Sequence, residues 1–135
     1  MKNIRIVIAD DHLLLAEAWS FLLNQTVGHE VVKIYNNTQA LIDEIEDIDP
    51  EIVLLDVNIP PISGLDAIPF LLNKLPSIKI IGMSMHNEER FAKRMIENGA
   101  KAYVTKNSHQ SEIFMAIKEV LEGRTYICEE IQKKL

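Results

Sequence analysis

Apolar runs and amphipathic runs alternate along the chain. "IRIVIA" at 4–9 is rich in β-branched residues and reads as a buried strand. "HLLLAEAWSFLLNQ" follows, with Leu15, Ala18, Trp19 and Leu22 at the i, i+3, i+4, i+7 spacing of one helix face. "EVVKIY" (30–35) is a second strand, and "TQALIDEIED" a second helix with Thr38 at its N-cap and Leu41, Ile42 and Ile45 facing inward. "IVLLDV" gives a third strand and "KIIGMS" (79–84) a fourth. Asn87 is placed to cap the fourth helix, Phe91, Ala92, Met95 and Ile96 form its apolar side, and Gly99 suits its C-terminal end. "KAYVT" (101–105) is the fifth strand; Ser108 then caps a last helix whose inner face is Ile113, Ala116, Ile117, Val120 and Leu121. Five strands, each followed by a helix, predict a single α/β domain: a parallel sheet with helices on both faces.

The third helix conflicts with its own sequence. Pro69 lies within "SGLDAIPFLLNKL", where a proline in mid-helix removes a hydrogen bond and crowds the preceding turn. A late start near Asp66 or a kink is expected, with Pro76 closing the segment.

Composition narrows the class. A length of 135 residues suits one domain with a real core, and 47% hydrophobic with 25% charged residues is a soluble globular balance. No apolar run approaches the ~20 residues of a membrane helix. "MKNIRIVIAD" lacks signal-peptide anatomy, because its short apolar run is broken by Arg5 and followed by acids. The single cysteine, Cys128, forms no internal disulfide, fits a reducing cytoplasm and reads as a small buried apolar residue. A net charge of −6 with no basic cluster argues against direct grip on nucleic acid. The four histidines show no metal-ligand spacing.

The polar residues at the strand ends carry the chemistry. In a parallel sheet the C-terminal strand ends share one edge, and ligands of open α/β sheets bind there. Strand one ends in Asp10 and Asp11, strand three in Asp56, strand four in Ser84, and strand five in Thr105 and Lys106. Three crowded carboxylates repel unless a cation joins them. Oxygen-only ligands favour a hard ion such as Mg²⁺, which needs only one or two carboxylates and leaves a third free to react. A lysine ammonium and a serine hydroxyl both suit a phosphoryl group. These parts describe phosphoryl transfer to a carboxylate.

"DDH", "DVNIPPISGLDAI", "SMH", "NGAKAYVTK" and "EGRTYI" run along nearly the whole chain, and with them it resembles the receiver domain of bacterial two-component response regulators. "DDH", "SMH" and "GRTYI" look most like receivers that precede a LuxR/NarL-type DNA-binding domain. The resemblance implies a flavodoxin-like, CheY-like fold in which Asp56 accepts a phosphoryl group from a histidine kinase. It implies that Asp10 or Asp11, Asp56 and the backbone carbonyl of Asn58 hold Mg²⁺, with Asp11 favoured of the pair as direct ligand. Ser84 and Lys106 would bind the phosphoryl oxygens, and Tyr103 would be a switch aromatic. The surface of the fourth helix, fifth strand and fifth helix would pass the signal to an effector or to a second receiver in a dimer. Three departures stand out: Asn107 follows the lysine where many members have proline, Ser84 replaces threonine, and Pro69 is unusual for the third helix but lies off the site.

Boundaries and rivals follow. Residues 1–124 read as the receiver and 125–135 as the start of a linker to a DNA-binding effector domain outside this chain. A free-standing or phosphorylation-independent receiver remains as an alternative. An aspartate-nucleophile phosphatase would need a second carboxylate two residues after Asp56, where Asn58 stands. A flavin-binding flavodoxin would not place Asp10 and Asp11 where phosphate must sit.

Overall fold

The computed structural model describes residues 3–85 and 88–135. Five main strands form as the hydrophobic pattern predicts: β1 (Ile4–Ala9), β2 (His29–Tyr35), β3 (Ile52–Asp56), β4 (Lys79–Ser84) and β5 (Ala102–Thr105). The helices are α1 (Leu13–Gln25), α2 (Thr38–Ile48), α3 (Gly64–Lys74), α4 (Glu89–Glu97) and α5 (Gln110–Leu121). All strand pairs are parallel, in the order β2-β1-β3-β4-β5 with a further strand beyond β5. Helices α2, α3 and α4 pack side by side on one face. On the other, α5 reaches back toward β2, where Phe114 meets the ring of His29.

Every residue of β3 is buried, so the strand behaves as a fixed rod through the centre of the sheet. Two-sided burial accounts for its unbroken apolar run, since parallel strands covered on both faces have no solvent side to keep polar.

Several local expectations are corrected. The buried face of α1 is Ala16, Trp19 and Leu23, with Ala18 exposed and Leu15 and Leu22 only partly covered. The leucine-rich sequence admits more than one apolar stripe, and contact with β1 and β2 selects among them. Asn37, not Thr38, caps α2: its side chain accepts from the Ala40 N–H at 2.9 Å. His109, not Ser108, caps α5, its ring nitrogen accepting from the Ser111 N–H at 3.1 Å. Ser108 instead pairs with the Thr105 hydroxyl at 2.7 Å. Leu121 is exposed rather than inward. Asn87 lies outside the described residues.

Helix α3 begins at Gly64, two residues before Asp66, and contains Pro69. Its cap is the Ser63 side chain, which accepts from the Asp66 N–H at 3.1 Å. Among the described residues the one cis bond is Pro60–Pro61, so the Lys106–Asn107 bond is trans.

The segment expected to begin a linker folds onto the domain. It forms a sixth strand, β6 (Tyr126–Ile127), and a short helix, α6 (Glu129–Gln132). Cys128 and Ile131 are fully buried, as the reading of Cys128 as a core residue requires.

Candidate phosphoacceptor site

Strand register brings the acids together. Ala9 pairs with Leu55 across β1 and β3, so the residues that follow them, Asp10 and Asp56, emerge side by side at the edge. This edge is where the strand order reverses around β1, the crevice in which open α/β sheets bind ligands. Ser84 pairs with Thr105 across β4 and β5, and the Lys106 N–H donates to the Ser84 carbonyl at 2.8 Å. The lysine is thereby turned back over the acids.

Asp10, Asp56, Ser84 and Lys106 are all buried. The Lys106 ammonium donates to Asp10 Oδ1 at 2.9 Å, to Asp56 Oδ2 at 2.9 Å and to His12 Nδ1 at 2.9 Å. Its three N–H donors are thus all used. Burial pushes the Asp56 carboxyl above the ordinary carboxylate range, while Lys106 and the Asn58 N–H, 3.2 Å from Oδ1, pull it back. Asp11 is exposed, and its Oδ1 lies 3.6 Å from His12 Nδ1.

The site retains spare negative capacity. Asp10 Oδ2 is buried and has no hydrogen-bond donor, although Lys106 Nζ stands 2.9 Å from it in poor alignment. Ligand atoms of Asp10, Asp11, His12 and Asp56 lie within 4.8 Å of one another. One lysine against three carboxylates leaves an acidic pocket that a metal cation fits. His12 is the residue that sequence spacing missed. Its only signal was adjacency to the acid pair in "DDH", and the tight turn made by the His12 N–H on Asp10 Oδ1 at 2.9 Å folds it back toward them. His86 lies outside the described residues.

Two further contacts fix the loop after β3. An ideal Cβ at Gly64 would stand 2.0 Å from the Asp56 carbonyl oxygen, so only glycine lets α3 start this close to the acceptor strand. Buried Thr38 clamps the loop from α2, its hydroxyl donating to the Ile62 carbonyl at 2.6 Å and accepting from the Ile62 N–H at 3.0 Å.

Tyr103 is fully buried on β5, and its phenol is hydrogen-bonded with Ser84. Burial pushes the phenol up to about 12, against the opposing effect of the Ser84 bond. Gly82 makes room beneath it: a Cβ there would come within 3.2 Å of the tyrosine ring and 2.6 Å of Met95 Cε.

An open parallel sheet with an Asp–Asp–Lys cluster at its switch point defines a receiver-type α/β domain. The chain belongs to the response regulator receiver domain family, whose model matches residues 6–118. It is 32% identical over 132 residues to the response regulator GacA of Pseudomonas viridiflava, covering 98% of this chain and 62% of that protein. It is 29% identical over 126 residues to the transcriptional regulatory protein DegU of Brevibacillus brevis, covering 93% of this chain and 53% of that one. The crystal structure of a LuxR-family two-component response regulator from Aurantimonas sp. SI85-9A1 superposes with a TM-score of 0.92 at 28% identity, covering 98% of this chain and 94% of that chain. The chain spans less than two thirds of the length of the two curated relatives. A phosphorylation-switch role follows from the family. Among the described residues no helix is long and apolar enough to cross a membrane.

Proposed function

We propose that Asp56 is the phosphoacceptor of this receiver and that a histidine kinase is the donor. The observation that carries the reading is the placement of a buried carboxylate at the end of a rigid central strand, 2.9 Å from a buried lysine. A carboxylate oxygen of Asp56 attacks the phosphorus of a phosphohistidine. The new O–P bond forms as the P–N bond breaks, and the imidazole leaves with the electron pair. Lys106 shifts from the carboxylates to the incoming phosphoryl oxygens, and the Ser84 hydroxyl donates to another. Asp10, Asp11, Asp56 and the Asn58 carbonyl are the groups that would hold Mg²⁺. The ion would neutralise charge that builds on the transferring group.

The modified Asp56 carries three strong acceptor oxygens and added negative charge, which draws Ser84 inward and favours the buried position of Tyr103. The output is a changed contact surface around α4, β5 and α5, offered to an effector domain or to a second receiver. The setting is transcription regulation in the cytoplasm, with DNA contacted by a separate effector domain; the names of relatives support the regulatory part, DegU being a transcriptional regulatory protein and RcsB of Salmonella enterica serovar Typhimurium having been solved bound to a promoter.

Intact mass after incubation with acetyl phosphate tests the assignment. Wild type should gain one phosphoryl group with Mg²⁺ and none without it, and Asp56→Asn should gain none. A gain retained by Asp56→Asn removes Asp56 from the role. Absence of any gain, from acetyl phosphate and from phosphorylated histidine kinases alike, favours a phosphorylation-independent binding module.

A further inference from the structure

The edge of the sheet next to Tyr103 is closed by the chain's own C-terminal segment. The Tyr126 N–H donates to the Lys101 carbonyl at 3.0 Å, and the Cys128 N–H donates to the Tyr103 carbonyl at 2.9 Å. The chain then turns into α6, which packs against α4 on the face that carries Tyr103. Cys128 and Ile131 are both fully buried there, and the Cys128 thiol is close enough to influence the Tyr103 phenol. Glu130 accepts from the Thr105 hydroxyl at 3.1 Å, one residue before Lys106. Glu112 of α5 secures the same segment, accepting from the Tyr126 hydroxyl at 2.6 Å and from the Glu129 N–H at 2.8 Å.

Tyr103, Cys128 and Ile131 are all fully buried, and the strand edge beside Tyr103 is paired with Ile127 of this segment. The segment carrying buried Cys128 and Ile131 lies along this edge and against α4. A Tyr103 ring that leaves by this edge would require 126–132 to lift away, and 126–132 docked as here would hold the ring inward. Two elements that require each other in this way are thermodynamically coupled, and the coupling acts equally in both directions.

We propose that residues 126–132 form a latch over Tyr103, holding it inward beside Ser84, and that phosphorylation of Asp56 tightens the latch. The second half rests on Asp56 being the phosphoacceptor; the first does not. Through Glu130 and Thr105 the latch also touches the strand end that aims Lys106, so Ile131 and Glu130 are positioning residues for the site. The event read by any following segment is then docking or release of α6.

Cys128 is the only cysteine in the sequence and is buried on the inner side of the latch, so its reaction rate with a thiol reagent reports opening. Without phosphorylation, Ile131→Ala should label at Cys128 about fivefold faster or more than wild type, and should shift the Tyr103 ring resonance in NMR, assigned with Tyr103→Phe. Glu130→Ala, at a partly exposed position, should move both readouts in the same direction by less, and serves alone should Ile131→Ala fail to fold. In phosphorylated wild type, verified by mass, Cys128 should label at no more than about one fifth of the unphosphorylated rate. An unmoved Tyr103 resonance in the folded variants overturns the latch. Unchanged or faster labelling of mass-verified phosphoprotein overturns its tightening. A wild type that gains no mass from acetyl phosphate or from phosphorylated histidine kinases refutes the phosphoacceptor reading instead, while the unphosphorylated comparison still decides the latch.

Discussion

The Lys106 ammonium stands 2.9 Å from Asp56 Oδ2, across 50 residues of sequence, with both side chains almost wholly buried. Breaking a buried charge pair by removing one partner typically costs about 3–5 kcal/mol, because the remaining charge is left without compensation. Here two acids, Asp10 and Asp56, share the lysine, so its loss strands both.

Lys106→Gln should therefore destabilise the domain by about 3–5 kcal/mol near pH 7. The pH dependence has a definite sign. The Asp56 carboxyl is raised above 3.8 on folding, so its contribution is most favourable below that value and is lost as pH rises through the folded pKa. Without Lys106 this loss is larger, so the penalty of the substitution should shrink as pH falls toward about 4. Urea unfolding of both proteins across that range checks it; a penalty that does not vary with pH would contradict the electrostatic account.

Asp56→Asn makes the opposite prediction. It removes a buried charge from a cluster with excess negative charge, so the variant should melt a few °C higher than wild type in buffer free of divalent cations, the size expected for about 1 kcal/mol. Mg²⁺ should narrow the gap. A wild type that binds Mg²⁺ as proposed would gain about 2.7 kcal/mol at a hundred times its Kd, and Asp56→Asn, without one of the proposed ligands, would gain less at the same concentration. Melting curves with and without Mg²⁺ measure both effects, and a lower Tm for Asp56→Asn in metal-free buffer would count against the excess-charge picture.

Gly64→Ala should cost about 1–3 kcal/mol, the range for forcing extra volume into a packed site. The new Cβ falls 2.0 Å from the Asp56 carbonyl oxygen, so either β3 or the start of α3 must move. Because Asp56 rides on that strand end, phosphoryl uptake from acetyl phosphate should slow together with the loss of stability. Wild-type values for both would mean that the close approach is not needed.

Thr38→Val keeps the side-chain shape but deletes the hydroxyl between the Ile62 N–H and carbonyl. A loss of about 1–3 kcal/mol is expected from unpairing these groups. Asn37→Ala removes the α2 cap and should cost about 1 kcal/mol. Amide NMR separates them: Thr38→Val should perturb 57–62, whereas Asn37→Ala should perturb chiefly the first turn of α2. Matching shift patterns would dismiss the clamp.

The alternation of strands and helices, and the edge at which the chemistry collects, can be read from the chain's local pattern. Both are written in short-range pattern: a strand buried on both faces must be apolar throughout, and a residue that stops the run, such as Asp56 after "IVLL", lies at the strand's end. Parallel connection then places all such ends on one edge. Asp10, Asp56, Ser84 and Lys106 were legible for that reason.

What those residues touch depends on long-range packing. The three-way contact of Lys106 spans 96 residues to Asp10 and 50 to Asp56, and it depends on strand register, which no local window contains. His12 joined the acids through a backbone turn. Thr38 and Ser108 looked like caps because caps and buried clamps use the same hydroxyl chemistry, and only their neighbours distinguish the two. The segment from Tyr126 onward is too short and too polar to announce a strand or helix. It folds because β5 offers an open edge and α4 an apolar surface, and burial of Cys128 and Ile131 against them outweighs the weak propensity of four helical residues.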